Sequence, residues 1–159
     1  MRAARVSLRE VLPEDLPVFF ENHRDPSATW MAAFTMADPS DRAAFDSHWE
    51  KILAHEHVTK RTILLDSEVV GNIMCYQLLG AANVAYWIWK EQWGKGIATE
   101  ALRLFLAIVT ERPLVGRTAA DNFASRRVLE KCGFVRIDEE RGFAHARGEK
   151  IDEIVFRLD

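Results

Sequence analysis

The sequence predicts an α+β fold: one mixed, twisted sheet of six to seven strands with about four helices. Three observations point to it. Stretches with a two-residue apolar period alternate with stretches of helical period in the order βααββ–βαβα–ββ. Near the middle, an aromatic strand-like run over 84–89 reaches the turn Trp93-Gly94-Lys95-Gly96, and an amphipathic run leaves it at Thr99. The chain then closes on two alternating stretches around Arg147-Gly148-Glu149-Lys150, a hairpin pattern. At 159 residues it has the size of a single domain spanning 1–159, able to bury roughly 70% of its unfolded surface.

Residues 3–11 alternate polar and apolar and suit a first strand. Pro13-Glu14-Asp15 reads as a helix start, with proline tolerated in the first turn and acids placed at the positive end of the helix dipole. Leu16, Phe19, Phe20 and His23 carry the helical period to Asp25-Pro26, where proline is expected to stop it. Residues 27–39 hold Trp30, Met31, Phe34 and Met36 with weak periodicity. Asp38-Pro39-Ser40-Asp41 marks a turn and cap before a helix with Phe45, His48, Trp49 and Ile52 on one face. Residues 58–66 and 69–79 are two strands joined at Asp66-Ser67-Glu68, the second nearly all apolar as a central strand is. After the glycine turn, Ile97, Ala101, Leu102, Phe105 and Ile108 form one apolar helix face, and residues 114–118 a fifth strand. Asn122 or Ser125 caps the next helix, and Gly133 ends it. Residues 134–143 and 151–158 form the closing hairpin.

With 48% hydrophobic and 28% charged residues, the chain has the balance of an ordinary globular protein. A net charge of −3 argues against binding nucleic acid through bulk positive charge. No run approaches the ~18 apolar residues of a membrane span, and the N-terminus lacks the apolar core of a signal peptide. Cys75 and Cys132 have neither metal nor redox spacing, so no metal is expected and the cytoplasm is the expected compartment.

The glycine turn carries the chemistry. Two glycines around a lysine let the main chain turn tightly and gather consecutive N–H groups. The first N–H groups of the following helix lack intrahelical partners, and the dipole adds positive charge there, so the corner suits phosphate or pyrophosphate. A Walker loop needs glycine six positions before the lysine, but residue 89 is Trp, and Gly96 follows Lys95 where the pattern continues with Ser or Thr. A dinucleotide fingerprint needs a small third residue where Thr99 stands, in an early βαβ unit. Both readings fail.

The segment Trp93-Gly94-Lys95-Gly96-Ile97-Ala98 resembles the pyrophosphate loop Gln/Arg-x-x-Gly-x-Gly/Ala of the GNAT superfamily of acyl-CoA N-acyltransferases, with Trp93 where Gln or Arg is usual. The wider block over 86–102, together with Asn122-Phe123-Ala124-Ser125 and Glu130-Lys131-Cys132-Gly133-Phe134, is similar to the branch containing ribosomal-protein N-acetyltransferases. The resemblance spans nearly the whole chain, the first 55 residues in pattern only. It implies the GNAT fold and an acetyl-CoA-dependent N-acetyltransferase that acts on a primary amine of a protein, peptide or small molecule. It also implies acetyl-CoA as co-substrate, no nucleic-acid or membrane partner, and a monomer or homodimer.

By the same resemblance, the main chain at Ile88 and Trp89 pairs with the pantetheine arm, residues 93–99 (Trp93, Gly94, Lys95, Gly96, Ile97, Ala98, Thr99) hold the pyrophosphate, and Asn122 hydrogen-bonds the arm. Lys95, Arg126, Arg127 and Lys131 are candidates to meet the phosphates. Many relatives carry a Tyr acid where this chain has Leu129, and a strand Glu where it has Asn83. The Ser of Asn-x-x-Ser points to Ser125 as acid or thiolate stabiliser, beside its plain reading as a helix cap. The base stays open among Glu10, Glu91, Glu100, His48 and His145, and Trp30, Phe34, Trp49, Tyr86 and Phe143 are candidate walls of the acceptor pocket. Deprotonating an α-amino group at pH 7 costs about 1.4 kcal/mol, against about 4.6 for a lysine. A site without a strong base therefore favours an α-amino acceptor. The missing Tyr and Glu also support a catalytically idle acyl-CoA-binding sensor or regulatory module, and an unrelated phosphate-binding α/β protein is a third reading.

Overall fold

The computed structural model describes residues 5–159. Seven strands form one sheet among these residues: β1 (Val6–Arg9), β2 (Thr59–Leu65), β3 (Glu68–Leu78), β4 (Ala81–Ile88), β5 (Leu114–Ala119), β6 (Val135–Ala144) and β7 (Glu149–Leu158). Their spatial order is β1-β2-β3-β4-β5-β7-β6. Five helices accompany them: α1 (Asp15–His23), α2 (Pro26–Ala32), α3 (Arg42–Ala54), α4 (Ile97–Ile108) and α5 (Phe123–Lys131), with a 3-10 turn at Lys90–Gln92. The expected fold class stands. The part of the first-strand expectation that falls on Ala3 and Ala4 lies outside the described residues.

The fifth helix, α2, occupies the weakly periodic stretch, and its origin gives Pro26 a second role beside ending the first helix. Asp25 accepts a hydrogen bond from the Ala28 N–H at 3.0 Å, and Pro26 takes the first helical position. Proline stops the preceding helix, which ends at His23, and pre-organises the next one. At the other start, Asp15 is 3% exposed and takes both Arg9 guanidinium nitrogens at 2.7 and 2.9 Å, the Leu12 N–H and the Thr62 hydroxyl. Burial pushes its pKa up, but these donors outweigh burial and hold the carboxyl below its ordinary value.

The aromatic core on one side of the sheet comes from α1 and α3. Phe19 meets Trp49 at 5.2 Å between ring centroids, and meets Trp89 edge-on at 6.0 Å. On α4, Ile97, Ala101, Leu102 and Phe105 are all buried.

The sheet is antiparallel except between β4 and β5. Those two pair in parallel over three positions only, Ala82↔Leu114, Asn83↔Val115 and Val84↔Gly116. Beyond them β4 stays with β3 as far as Ile88↔Gly71, and β5 stays with β7 as far as Ala119↔Glu153. The two strands therefore part beyond Val84 and open the middle of the sheet. Backbone alternation decides which groups face the gap. The Trp89 N–H bonds the Val70 carbonyl at 2.8 Å, so Trp89 and Trp87 spend their main-chain groups on β3, while Tyr86 and Ile88 present theirs toward β5.

Candidate active site

The glycine turn lies at the mouth of this gap. Gly94 and Gly96 have φ of 77° and 76°, a region that side chains with a Cβ disfavour, and a Cβ built at either meets no atom within 4 Å. Gly96 is the N-cap of α4 and supplies no side-chain cap, so the first N–H groups of the helix are left without a capping side chain. Trp93 donates its indole N–H to the Ile88 carbonyl at 2.9 Å and thereby ties the turn to the end of β4. A cavity of about 540 Å³ runs from this turn past Tyr86 and Ile88 to Asn122 and Ser125 on α5. Uncapped helical N–H groups at one end and an apolar channel along β4 suit a pyrophosphate with a long thiol-bearing arm.

Most of the expected donor-site residues meet on this cavity: Trp93, Gly94, Gly96, Ile97, Ala98 and Thr99, with Ile88, Asn122 and Ser125. Trp89 and Lys95 do not line it. Trp89 is 7% exposed with its N–H committed to Val70, and Lys95 reaches back to the Gln92 side chain at 3.0 Å. Of the other basic candidates, Arg127 and Lys131 border the cavity, while Arg126 bonds the Ala120 carbonyl and lies over the Phe123 ring. Asn122 resolves the question of the cap: its side chain accepts the Ser125 N–H at 3.2 Å.

That cap leaves the Ser125 hydroxyl available. It lies 2.7 Å from the Tyr86 hydroxyl across the gap between β4 and α5. Burial pushes the Tyr86 pKa up to about 12, although the bond to Ser125 pulls it down, so the phenol keeps its proton at neutral pH. The two hydroxyls form a protonated pair on the cavity wall. The usual positions stay silent. Leu129 is 1% exposed and packs where a Cβ on Gly116 would come within 2.7 Å of it, and Asn83 is buried with its amide on the Leu78 and Ala81 carbonyls.

A second cavity, also of about 540 Å³, lies on the side of the sheet covered by α1 and α3. Tyr86 and Trp87 line both cavities, so the two lie against the same stretch of β4. Phe34, Trp49 and Tyr86, expected as acceptor walls, border the second one, with Trp49 also built into the core at 2% exposure. Trp30 and Phe143 border neither. Trp30 is 54% exposed and stacks under the Arg147 guanidinium at 4.5 Å, while Phe143 is 52% exposed beside His145. Of the candidate bases, His48 borders the second cavity, whereas Glu10 pairs with Arg61 and Glu100 with Arg103.

Sequence reasoning missed most of this cavity's lining, His23, Asn72 and Trp87 among it. His23 stacks on Trp87 at 4.4 Å, and burial, with a smaller contribution from His48, lowers its pKa to about 4. It is therefore neutral at pH 7. Asn72 had a legible signal, as a polar residue inside an otherwise apolar central strand.

Residues 5–135 match the acetyltransferase (GNAT) domain. The chain belongs to this family of acetyltransferases. It is 29% identical over 117 residues to YdaF of Bacillus subtilis (strain 168), a protein named provisionally as a ribosomal N-acetyltransferase; the match covers 69% of this chain and 64% of YdaF. Two solved structures share the fold. RimL, a ribosomal L7/L12 alpha-N-protein acetyltransferase in complex with coenzyme A, superposes with a TM-score of 0.80 at 17% identity, covering 96% of this chain and 93% of RimL. Spermidine N-acetyltransferase from Vibrio cholerae, in complex with CoA and spermine, superposes with a TM-score of 0.79 at 16% identity, covering 96% and 94%. Among the described residues no helix is long and apolar enough to cross a membrane.

Proposed function

We propose that this protein transfers an acetyl group from acetyl-CoA to a primary amine, with the α-amino group of a protein or peptide favoured over a lysine or a small-molecule amine. The observation that carries the reading is that two cavities share Tyr86 and Trp87 as walls, one reaching the glycine turn before α4 and the other lined by aromatic side chains. Such an arrangement lets two substrates enter from opposite sides and touch at one point. Family membership and the likeness to YdaF support the branch that acts on protein amines.

Acetyl-CoA supplies the activated acyl group as a thioester. The N–H groups at the start of α4 hold its pyrophosphate, with Arg127 and Lys131 alongside. The main chain of Tyr86 and Ile88 faces the arm, although the Ile88 carbonyl already accepts the Trp93 indole. When the amine attacks, a C–N bond forms and the C–S bond breaks. The amine gives up one proton and the departing sulfur gains one. Ser125, backed by the protonated Tyr86 hydroxyl, is placed to supply the proton at sulfur. No carboxylate borders the second cavity among the described residues, so a weakly basic α-amino group is the easier acceptor.

Leu129 and Asn83 in place of the family's usual Tyr and Glu favour a second reading, an idle acyl-CoA sensor. Release of free thiol from acetyl-CoA across an amine panel separates the two: turnover supports the enzyme, and tight CoA binding with no turnover supports the sensor. The enzyme reading includes a cytoplasmic location and a monomer or homodimer with no nucleic-acid or membrane partner.

A further inference from the structure

The second cavity holds two features in tension. Its walls are apolar and aromatic, from Phe34, Met36, Phe45 and Met74 among others, and no described residue lining it is Asp, Glu, Lys or Arg. Yet three residues that line it, His23, Asn72 and Trp87, hold buried polar atoms with nothing to bond. Asn72 and Trp87 are cross-strand partners on β3 and β4, so their side chains emerge side by side on the same face of the sheet. The Asn72 amide nitrogen and the Trp87 indole nitrogen are both buried without a hydrogen-bond partner, and Asn72 is only 4% exposed. His23, stacked on Trp87, leaves its Nε2 unpartnered as well. Buried donors left unmade cost free energy and are rare in native proteins.

Resting on the acetyltransferase reading, we propose that the acceptor is a primary amine on an uncharged, apolar body that presents one hydrogen-bond-accepting oxygen to Trp87 and Asn72. The two N–H groups need an acceptor atom, which excludes a pure hydrocarbon amine as the best substrate. No Asp, Glu, Lys or Arg lines the cavity, and the charges that act on its Tyr76 end, Arg117 and Glu153, are paired with each other; a second ammonium group, as in a polyamine, or a free carboxylate therefore loses water there without gaining a partner. Burial lowers the pKa of both imidazoles that line the cavity, His23 and His48, which favours their neutral forms. Two sources share the required chemistry. One is a peptide terminus with a large apolar first residue, whose first carbonyl is the oxygen. The other is a small amine such as an amino-acid amide.

The test measures kcat/KM with acetyl-CoA for phenylalaninamide, phenylalanine, phenethylamine, spermidine and a short peptide beginning with Phe, alongside CoA affinity by calorimetry. Phenylalaninamide is expected to exceed phenylalanine and spermidine by about 100-fold and phenethylamine by about 10-fold. In Trp87→Phe and Asn72→Ala the amide-to-phenethylamine ratio falls toward one, with Trp87→Phe the conservative change should Asn72→Ala fold poorly. The peptide outperforming the amide assigns the site to protein termini, and the amide matching it assigns the site to small amines; both uphold the shared chemistry. Spermidine or phenylalanine matching the amide, a ratio that survives both variants, or CoA binding with no amine in the panel acetylated overturns the inference. Failure to bind CoA removes the acetyltransferase reading itself, a separate result.

Discussion

The two cavities that share Tyr86 and Trp87 as walls are equal in volume and opposite in construction. The first is built from the main chain: two glycines at positive φ, an uncapped helix start and a strand edge released by its neighbour. The second is built from side chains on α1, α3, β3, β4 and the loop after α2. In the proposed reading, main-chain groups bind what every acyl-CoA has in common, and side chains drawn from distant elements bind what differs between acceptors. The difference teaches how one fold can serve proteins as unlike as RimL and spermidine N-acetyltransferase.

The largest effect that sharpens this contrast is expected at Gly96. A Cβ there clashes with nothing, so Gly96→Val leaves the core intact while straining a left-handed residue and filling the space before α4. Losing two charge-assisted hydrogen bonds weakens CoA binding on the order of 1000-fold, measurable by calorimetry, with the melting temperature little changed. Ser125→Ala comes next: kcat falls on the order of 100-fold while CoA affinity is retained, and Tyr86→Phe follows the same pattern. A lost affinity in either variant would mean that the hydroxyl pair only shapes the donor cavity.

The second cavity answers to pH. His23 has a native pKa of about 4 against an ordinary 6.5. The unfolded chain therefore takes up a proton that the native chain refuses. Stability is unaffected above about pH 6.5 and falls as pH drops from there toward 4, by about 2 kcal/mol between pH 7 and 5. Urea titrations at the two values check this, and His23→Asn flattens the difference. The smallest effect is at Trp93. Trp93→Phe removes the bond from the indole to the Ile88 carbonyl and costs about 1 kcal/mol, or roughly fivefold in CoA affinity.

The same contrast explains what could be read from the sequence. The candidate donor site was legible because its parts are contiguous: the end of β4, the glycine turn and the first turns of α4 fall within residues 84–102, and Asn122 and Ser125 lie within one turn of each other at the start of α5. Local backbone chemistry constrains such segments wherever they are placed. A motif does not show which groups the sheet or a neighbour has already taken: the Trp89 N–H is spent on Val70, and the Lys95 side chain, though not its main chain, on Gln92. The acceptor cavity was mostly illegible. His23 and Asn72 are 49 positions apart in sequence, and only the α1 packing that places His23 on Trp87 brings them to one cavity. Trp30 has the composition of a pocket wall, but it spends its ring on Arg147, a partner 117 residues away. The insertion of β7 between β5 and β6 was equally hidden, since hairpin patterns do not order strands within a sheet.

The central claim is that the carrier's phosphates sit on the first turn of α4 while its arm follows the gap between β4 and β5. A crystal structure of the protein with CoA tests it most directly. The account predicts pyrophosphate oxygens on the N–H groups between Gly94 and Thr99 and the sulfur beside Tyr86 and Ser125; CoA seated in another groove, or its thiol pointing away from that pair, would contradict it.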